Sequence, residues 1–204
     1  MKEDFNETEP QKPSPFIKGE NICLIPHNSK YINLYLKWSN NWKVRKYARD
    51  ILPIVAEDMK KWFETSERRT RNYIGFTIWH KNDKKPIGIA DLSLIDWVNG
   101  WANVGLVIGE PSYWNRNIAT EATELIIEYA FNELSLHKLQ GCAAVENIGS
   151  WKIAEKVGFI FEGIGKQDMY VDGKYLDEKR YCLLREDWLK SKKSENKELN
   201  YKRV

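Results

Sequence analysis

The clearest chemical signal in the chain lies between Trp114 and Thr120. This segment joins an apolar run that ends at Ile108 to an amphipathic run that begins after Asn117, which predicts a strand, a loop and a helix. A helix N-terminus has unpaired N–H groups and partial positive charge, so it is suited to bind an anion. Arg116 adds a guanidinium, and Asn115 and Asn117 tolerate left-handed backbone. The segment indicates a diphosphate site, and an ordinary solvated loop is the competing interpretation.

A second polar pair follows the next predicted strand. Asn147 and Ser150 lie where a strand over 138–145 ends and a short helix over 149–156 begins. From this position both side chains are expected to face a ligand that lies between two parallel strands. Asn147 is also a preferred N-cap residue type, so capping of the short helix is the alternative role.

The elements that must position these residues alternate along the chain. Apolar periodicity predicts the order β-α-α-β-β-β-α-β-α-β-β, followed by a last helix from Arg185. Asn99-Gly100 and Asp172-Gly173 predict tight hairpin turns, and the strand–helix–strand step over 106–145 predicts a right-handed parallel crossover. A mixed α/β (α+β) domain is expected, with a central sheet of about seven strands and helices on both faces.

Domain organisation follows from where the polar residues lie. The folded domain is expected over 16–190, between a mobile N-terminal tail at 1–15 and a charged C-terminal tail at 191–204. Of the 204 residues, 42% are hydrophobic and nine are Trp, which excludes a disordered chain. The 32 basic and 29 acidic residues nearly cancel, so nothing demands a nucleic-acid partner. The basic run at 68–71 is expected to be a solvated helix end.

Membrane, redox and metal classes can be judged from the same sequence. No apolar run is long enough to span a membrane, and no signal-peptide pattern follows Met1. Cys23, Cys142 and Cys182 are odd in number and widely spaced, which predicts reduced, buried thiols and a cytoplasmic protein. No Cys and His residues have convincing metal-ligand spacing, so no metal is expected.

Several ordered motifs together resemble one known family. Tyr113 to Ala122 reads Tyr-Trp-Asn-Arg-Asn-Ile-Ala-Thr-Glu-Ala and resembles the acetyl-CoA pyrophosphate loop of GNAT N-acetyltransferases. The most similar branch contains the ribosomal-protein alanine N-acetyltransferases. Asn147-x-x-Ser150, Gly158-Phe159 and Asp172-Gly173-Lys174-Tyr175 follow in family order, and the likeness covers roughly 18–190. The resemblance implies the GNAT fold, with a splay between parallel strands 101–108 and 138–145.

The resemblance also implies an activity and a set of ligand contacts. GNAT enzymes transfer an acetyl group from acetyl-CoA to a primary amine, on a protein N-terminus or a small molecule, by direct attack on the thioester. Backbone groups of Val107 and Ile108 would hold the pantetheine arm, and amides over 115–120 would hold the diphosphate. The implied cofactor-binding residues are Val107, Ile108, Trp114, Asn115, Arg116, Asn117, Ile118, Ala119, Thr120, Asn147 and Ser150. Family members are often dimers, so a homodimer is possible.

The chain departs from the family pattern at four positions. Both loop glycines are replaced, by Asn115 and Asn117, which predicts weaker cofactor binding because glycine lets backbone approach a phosphate closely. Ala154 stands where many relatives carry a tyrosine acid, and Asn103 where a glutamate often lies. Ser150 is therefore the candidate general acid.

The general base is left open among three carboxylates. Asp91 is the preferred candidate, and Asp96 and Asp168 are alternatives. Any of them could instead be a surface or turn carboxylate, and a water chain could replace a base. The alternative function is a catalytically impaired GNAT module that binds CoA or regulates a partner.

Overall fold

The computed structural model describes residues 13–48, 52–65 and 72–201. The strands are β1 (Ile17–Lys18), β2 (Ile22–Pro26), β3 (Ile74–His80), β4 (Lys85–Asp96), β5 (Trp101–Ile108), β6 (Lys138–Ala144), β7 (Ile160–Val171) and β8 (Lys174–Leu184). The helices are α1 (Ile32–Asn40), α2 (Trp42–Arg45), α3 (Ala56–Thr65), α4 (Ile118–Asn132), α5 (Ile148–Lys156) and α6 (Arg185–Tyr201). Single 3-10 turns cover Ser29–Tyr31 and Pro111–Tyr113.

All eight strands form one mixed sheet in the order β1-β2-β3-β4-β5-β6-β8-β7. Every neighbouring pair is antiparallel except β5 and β6, which α4 connects in parallel. The predicted mixed α/β fold and its parallel crossover are confirmed, and the two-residue β1 is the strand that the sequence did not predict. Gly100 (φ 68), Asp172 (φ 49) and Gly173 (φ 80) take the left-handed backbone that the two hairpin turns require.

Helices cover both faces of this sheet. On one face, here the α4 face, Ile126 and Phe131 pack with sheet residues such as Ala102 and Leu139 in the main core. On the other, here the α1 face, α1 and α2 contribute Tyr35, Trp38 and Val44, which pack with α3 and with Ile89 and Val107 of the sheet. Full burial of one large apolar side chain stabilises the fold by about 1.5–3 kcal/mol. These two layers therefore hold the central strands in place from both sides.

The parallel strands separate partway along their length. Their register contains Trp101–Lys138, Ala102–Leu139 and Asn103–Gln140 and then ends. β5 continues to Ile108 and β6 to Ala144. The space between 104–108 and 141–144 is here called the opening. It matches the splay that the resemblance implied.

One local prediction was wrong. Cys142 is exposed, because its side chain lies on the part of the α1 face formed by β6 and β8, which no helix of the described residues covers. Cys23 and Cys182 are buried, as predicted. Glu121 of α4 accepts hydrogen bonds from the backbone of Asn21 (2.8 Å) and Ile22 (3.2 Å) and so ties the β1–β2 turn to α4.

Some predictions fall outside the described residues. The basic run at 68–71 and most of the predicted N-terminal tail are among them. The predicted C-terminal tail overlaps α6, which runs to Tyr201. Among the described helices, none combines the length and the apolar character that a bilayer crossing requires.

Candidate functional site

The loop between β5 and α4 has the backbone shape of a glycine-rich loop. Asn115 (φ 60) and Asn117 (φ 62) both take left-handed conformations at the two positions where the family pattern has glycine. Asn117 is the N-cap of α4, but its side chain makes no capping hydrogen bond. The first N–H groups of this 15-residue helix are therefore not occupied by the cap side chain. The loop keeps the geometry of an anion site despite the substitutions.

Lys156 lies beside this loop and was missed by sequence reasoning. Its Nζ donates to Oδ1 of Asn117 at 2.7 Å, although the two residues are 39 positions apart. This hydrogen bond holds the side chain of Asn117, the residue whose backbone is left-handed. It also adds an ammonium group next to the α4 N-terminus. The only sequence signal was the position of Lys156 before Gly158 in the family motif.

Arg116 is exposed and lies on the side of the loop that faces the β3–β4 turn. Its guanidinium carbon is 5.4 Å from the ring centroid of Tyr113. The Tyr113 hydroxyl donates to Asp83, and this hydrogen bond is the main cause of a lowered pKa at Asp83. Arg116 is thus positioned by an aromatic face, with its guanidinium available to solvent.

Indole N–H groups fix the chain just after both central strands. Trp114 Nε1 donates to the carbonyl of Ile108 at 2.8 Å, and Trp151 Nε1 donates to the carbonyl of Val145 at 3.0 Å. The Ile108 carbonyl was expected to contact a pantetheine arm. It keeps a second lone pair, so a ligand there would share this oxygen with Trp114.

Asn147 and Ser150 begin α5, at the end of the opening. Asn147 occupies the N-cap position without a side-chain capping bond, so the capping interpretation is not what the structure shows. Ser150 is exposed in the first turn of the helix. Ala154, in the position of the family tyrosine, packs against the main core and offers no polar group.

Asp91 is a half-buried carboxylate at the start of the opening. It pairs across the sheet with Gly75 of β3 and Gly105 of β5, and a Cβ on Gly105 would overlap the carboxylate. Gly105 lies two residues beyond the last β5–β6 pair, on the α1 face. Burial raises the pKa of Asp91 to about 6, against a hydrogen bond from Ser93 that lowers it.

Tyr73 shares this environment with Asp91. Burial is the main cause of the raised pKa of the Tyr73 phenol, and the negative charge of Asp91 raises it further. Tyr73 therefore stays protonated at neutral pH. Asp91 is then the group of this pair that can exchange a proton near neutral pH.

The two alternative bases lie elsewhere. Asp96 accepts from the backbone N–H groups of Val98 (3.0 Å) and Asn99 (2.8 Å), and the bonds to Asn99 lower its pKa. It is a turn residue of the β4–β5 hairpin. Asp168 forms an ion pair with Arg180 on β8. Of the three proposed carboxylates, Asp91 alone lies over the opening.

A metal centre is not visible in the part of the chain that the structure describes. Across residues 13–48, 52–65 and 72–201, no group of three or more His, Cys, Asp or Glu side chains comes together as a metal site would require.

Comparisons with known proteins indicate the same protein family as the fold does. The family model described as "Acetyltransferase (GNAT) domain" matches residues 21–160. The putative ribosomal N-acetyltransferase YdaF of Bacillus subtilis is 37% identical over 101 residues, which are 50% of this chain and 55% of that protein. A spermidine N(1)-acetyltransferase of Escherichia coli is 30% identical over 112 residues, or 55% of this chain and 60% of that protein.

Solved structures share the architecture at lower sequence identity. Spermidine N-acetyltransferase from Vibrio cholerae, crystallised with CoA and spermine, superposes with a TM-score of 0.77 at 22% identity, covering 83% of this chain and 98% of that chain. A GNAT-family acetyltransferase from Bacillus anthracis gives 0.72 at 22% identity, over 83% and 98%.

The opened parallel pair and the left-handed loop leading into α4 define an acetyltransferase-type α/β fold. With the family match over 21–160, the chain belongs to the GNAT acetyltransferase domain family. The chain spans between 46% and 63% of the length of the first curated relatives that it matches.

Proposed function

We propose that this protein is an N-acetyltransferase that moves an acetyl group from acetyl-CoA to a primary amine. The observation that carries the proposal is the opening, which has the uncapped N-terminus of α4 at one end and a half-buried carboxylate, Asp91, on one face. The names of the relatives support it, since they include ribosomal and spermidine N-acetyltransferases. The acceptor is proposed to be a protein N-terminus or a small amine.

The donor would be held by the strand end and the loop. Backbone groups of Val107 and Ile108 would bind the pantetheine arm where β5 has lost its parallel partner. The amides of 115–120, which include Ile118, Ala119 and Thr120, would bind the diphosphate together with Arg116 and Lys156. Trp114 and Asn147 would border the cofactor. This arrangement would place the thioester between the two central strands.

The chemistry then needs one proton removed and one returned. Asp91, with a pKa of about 6, accepts a proton from the acceptor ammonium, and the neutral amine attacks the thioester carbonyl. A C–N bond forms as the C–S bond breaks, and the electron pair leaves on sulfur. Ser150 donates its proton to that thiolate and is reprotonated from solvent. Alignment of amine and thioester in the opening lowers the entropic part of the barrier.

The proposal is tested by calorimetric titration with acetyl-CoA and CoA, followed by an amine screen that detects thiol release. Micromolar binding and turnover with at least one amine are expected. Binding without turnover on any amine would favour the catalytically impaired module. No binding at millimolar ligand would reject the CoA site altogether.

We further propose a cytoplasmic location and assembly as a homodimer. None of the three cysteines forms a disulfide, which suits a reducing compartment. β7 is one of the two edge strands of the sheet and exposes Phe161 and Ile164, a surface that a second copy could cover. Sedimentation velocity at micromolar concentration would show a single monomer species if no such dimer forms.

Arg116→Ala should weaken CoA binding by about 1–3 kcal/mol, because a charge-assisted contact to the diphosphate is lost. Isothermal titration of parent and variant measures the change. Lys190→Ala, an exposed cation of α6 that pairs with Glu186, is the matched control and should bind CoA as the parent does. Equal affinity of Arg116→Ala and the control would remove Arg116 from the cofactor site.

Ser150→Ala should lower kcat by about a hundredfold while the Kd for acetyl-CoA changes little, since a general acid acts in the transition state. Stopped-flow or steady-state thiol release gives kcat, and calorimetry gives Kd. Ser150→Cys keeps an ionisable donor and should recover part of the rate. A parent-like kcat in Ser150→Ala would end the general-acid assignment.

A further inference from the structure

The segment from Val44 to Tyr47 lies across the opening on the α1 face. Val44 belongs to the apolar cluster that packs on Val107 of β5. Tyr47 packs on the cluster that contains Ala144 at the end of β6. Val107 and Ala144 each lie four residues beyond the last β5–β6 pair, so they flank the opening at the same level and on the same face. The side chains of α2 therefore border its entrance.

This entrance is cationic. Between Glu20 and Asp50 the sequence contains no carboxylate side chain. The basic residues of the same stretch are Lys30, Lys37, Lys43, Arg45, Lys46 and Arg49, of which Arg49 lies outside the described residues. An open depression of about 490 Å³ beside α2 is lined by Lys37, Asn40, Asn41, Trp42, Lys43 and Pro111.

Two carboxylates near the entrance are already engaged by cations. Glu110 accepts from Lys37 at 2.8 Å. Burial opposes its charge, but hydrogen bonds from Lys37 and Trp38 outweigh burial and lower the pKa of Glu110. Asp172 binds Lys46 at 3.1 Å. A polyamine requires several carboxylates that can receive its ammonium groups, and these carboxylates are occupied.

Lys43 differs from these paired lysines. It is exposed, forms no ion pair within the described part of the chain, and lies with Nζ 5.4 Å from the ring centroid of Trp42. Trp42 is itself 70% exposed on the depression. A cation with an aromatic face beside it can hold a carboxylate and pack on the chain that carries it.

We infer that the acceptor is the N-terminal amine of a polypeptide whose next few residues are acidic. The inference rests on the proposed function and deepens it. The acidic residues bind Lys43 of α2, and the polypeptide packs on Trp42. The terminal amine, in front of these residues, enters the opening and reaches Asp91, which forms no ion pair with any residue in the described part of the chain.

The experiment compares acceptors on the full chain with saturating acetyl-CoA. Short peptides share one sequence except at residues two to four, which are Glu, Gln or Lys, and spermidine is the fourth acceptor. Thiol release gives kcat/KM for each, and fluorescence anisotropy of labelled peptides with CoA gives their Kd. The Glu peptide should be used best, with an advantage that shrinks as salt is raised.

Charge reversal at the entrance provides the second comparison. Lys43→Glu should lower kcat/KM for the Glu peptide by about three- to tenfold, leave the Gln peptide nearly unchanged and favour the Lys peptide. Lys30→Glu is the matched control, because Lys30 lies in the same carboxylate-free stretch and also lies over an aromatic ring, that of Tyr31. Tyr31 packs on residues of β2 and β3 and contacts Tyr35 of α1, and neither Lys30 nor Tyr31 lines the depression that contains Lys43. The control should keep the parent preference.

The outcomes separate the inference from the function on which it rests. Spermidine or the Lys peptide as the best acceptor, or equal losses in the two reversal variants, would overturn the acidic acceptor while the transferase stands. Binding of the Glu peptide that depends on Lys43 without any thiol release would reject the transferase and keep the docking surface. Neither turnover nor Lys43-dependent binding would reject both.

Discussion

Asp91→Asn should lower kcat/KM by about 10²- to 10³-fold at pH 8, because the proposed base can no longer accept the amine proton. In the parent, kcat/KM should rise with pH through about 6, where Asp91 loses its own proton. The variant should lack this rise. A pH profile of thiol release with one fixed amine, measured on both proteins, gives the result.

Asp168→Asn is the matched control for this experiment. Asp168 was an alternative base on sequence grounds, but in the structure it pairs with Arg180. Its variant should keep the rate and the pH profile of the parent. Activity that survives in Asp91→Asn with the same dependence on pH would mean that water carries the proton out of the site, and Asp91 would lose its role.

Asp91→Asn should raise the stability of the protein although it lowers its activity. The pKa of Asp91 is about 6 in the folded protein and 3.8 in the reference state, so the folded protein holds this proton more tightly. The contribution of Asp91 is therefore most favourable below pH 4 and is lost as pH rises through 6. The loss is on the order of 3 kcal/mol. Asp91→Asn should unfold at higher denaturant than the parent at pH 8, with a smaller difference at pH 4.

Gly88→Ala should lower the free energy of unfolding by about 2–4 kcal/mol and weaken CoA binding in whatever protein remains folded. A Cβ on Gly88 would overlap the carbonyl oxygen of Val107 and lie 3.1 Å from Cα of Ile108. Both are backbone atoms, so no side-chain rotation relieves the overlap. β5 must shift at the two residues proposed to hold the pantetheine arm.

Gly163→Ala separates this effect from the general loss of a strand glycine. Gly163 is in β7, and a Cβ there would meet no atom within 4 Å. Urea denaturation and CoA titration of both variants make the comparison. If the free energies of unfolding of Gly88→Ala and Gly163→Ala differ by less than about 0.5 kcal/mol, β4 and β5 can separate without penalty. The close approach at Gly88 would then not contribute to stability.

The sequence was sufficient for features that depend on local chemistry. The Asp172-Gly173 turn was predicted because both residues tolerate positive φ, and both adopt it. α4 and the parallel step were predictable because a long apolar stripe lies between two apolar strands. The loop was located by its residue types, and its two asparagines are left-handed as the replaced glycines would be.

Features that depend on distant contacts could not be predicted. α2 has four residues, too few for a periodic pattern, and begins where the Asn41 side chain accepts from the Lys43 amide. The partial burial of Asp91 arises from its place on β4 between Gly75 of β3 and Gly105 of β5. The sequence shows only an aspartate in a strand. The Lys156–Asn117 contact joins residues 39 positions apart, and no spacing rule reports it.

The early end of the β5–β6 register has a mechanical consequence. Three residue pairs join β1–β5 to β6–β8, so the sheet is two half-sheets with a short seam. The packing of Tyr47 and the Lys46–Asp172 ion pair connect the halves again across the gap. A ligand that fills the opening would bridge β5 and β6 as an additional strand would. It would make the connection between the two half-sheets more rigid. Binding of the cofactor would then reduce the relative motion of the half-sheets. Amide hydrogen exchange at 104–108 would measure this change.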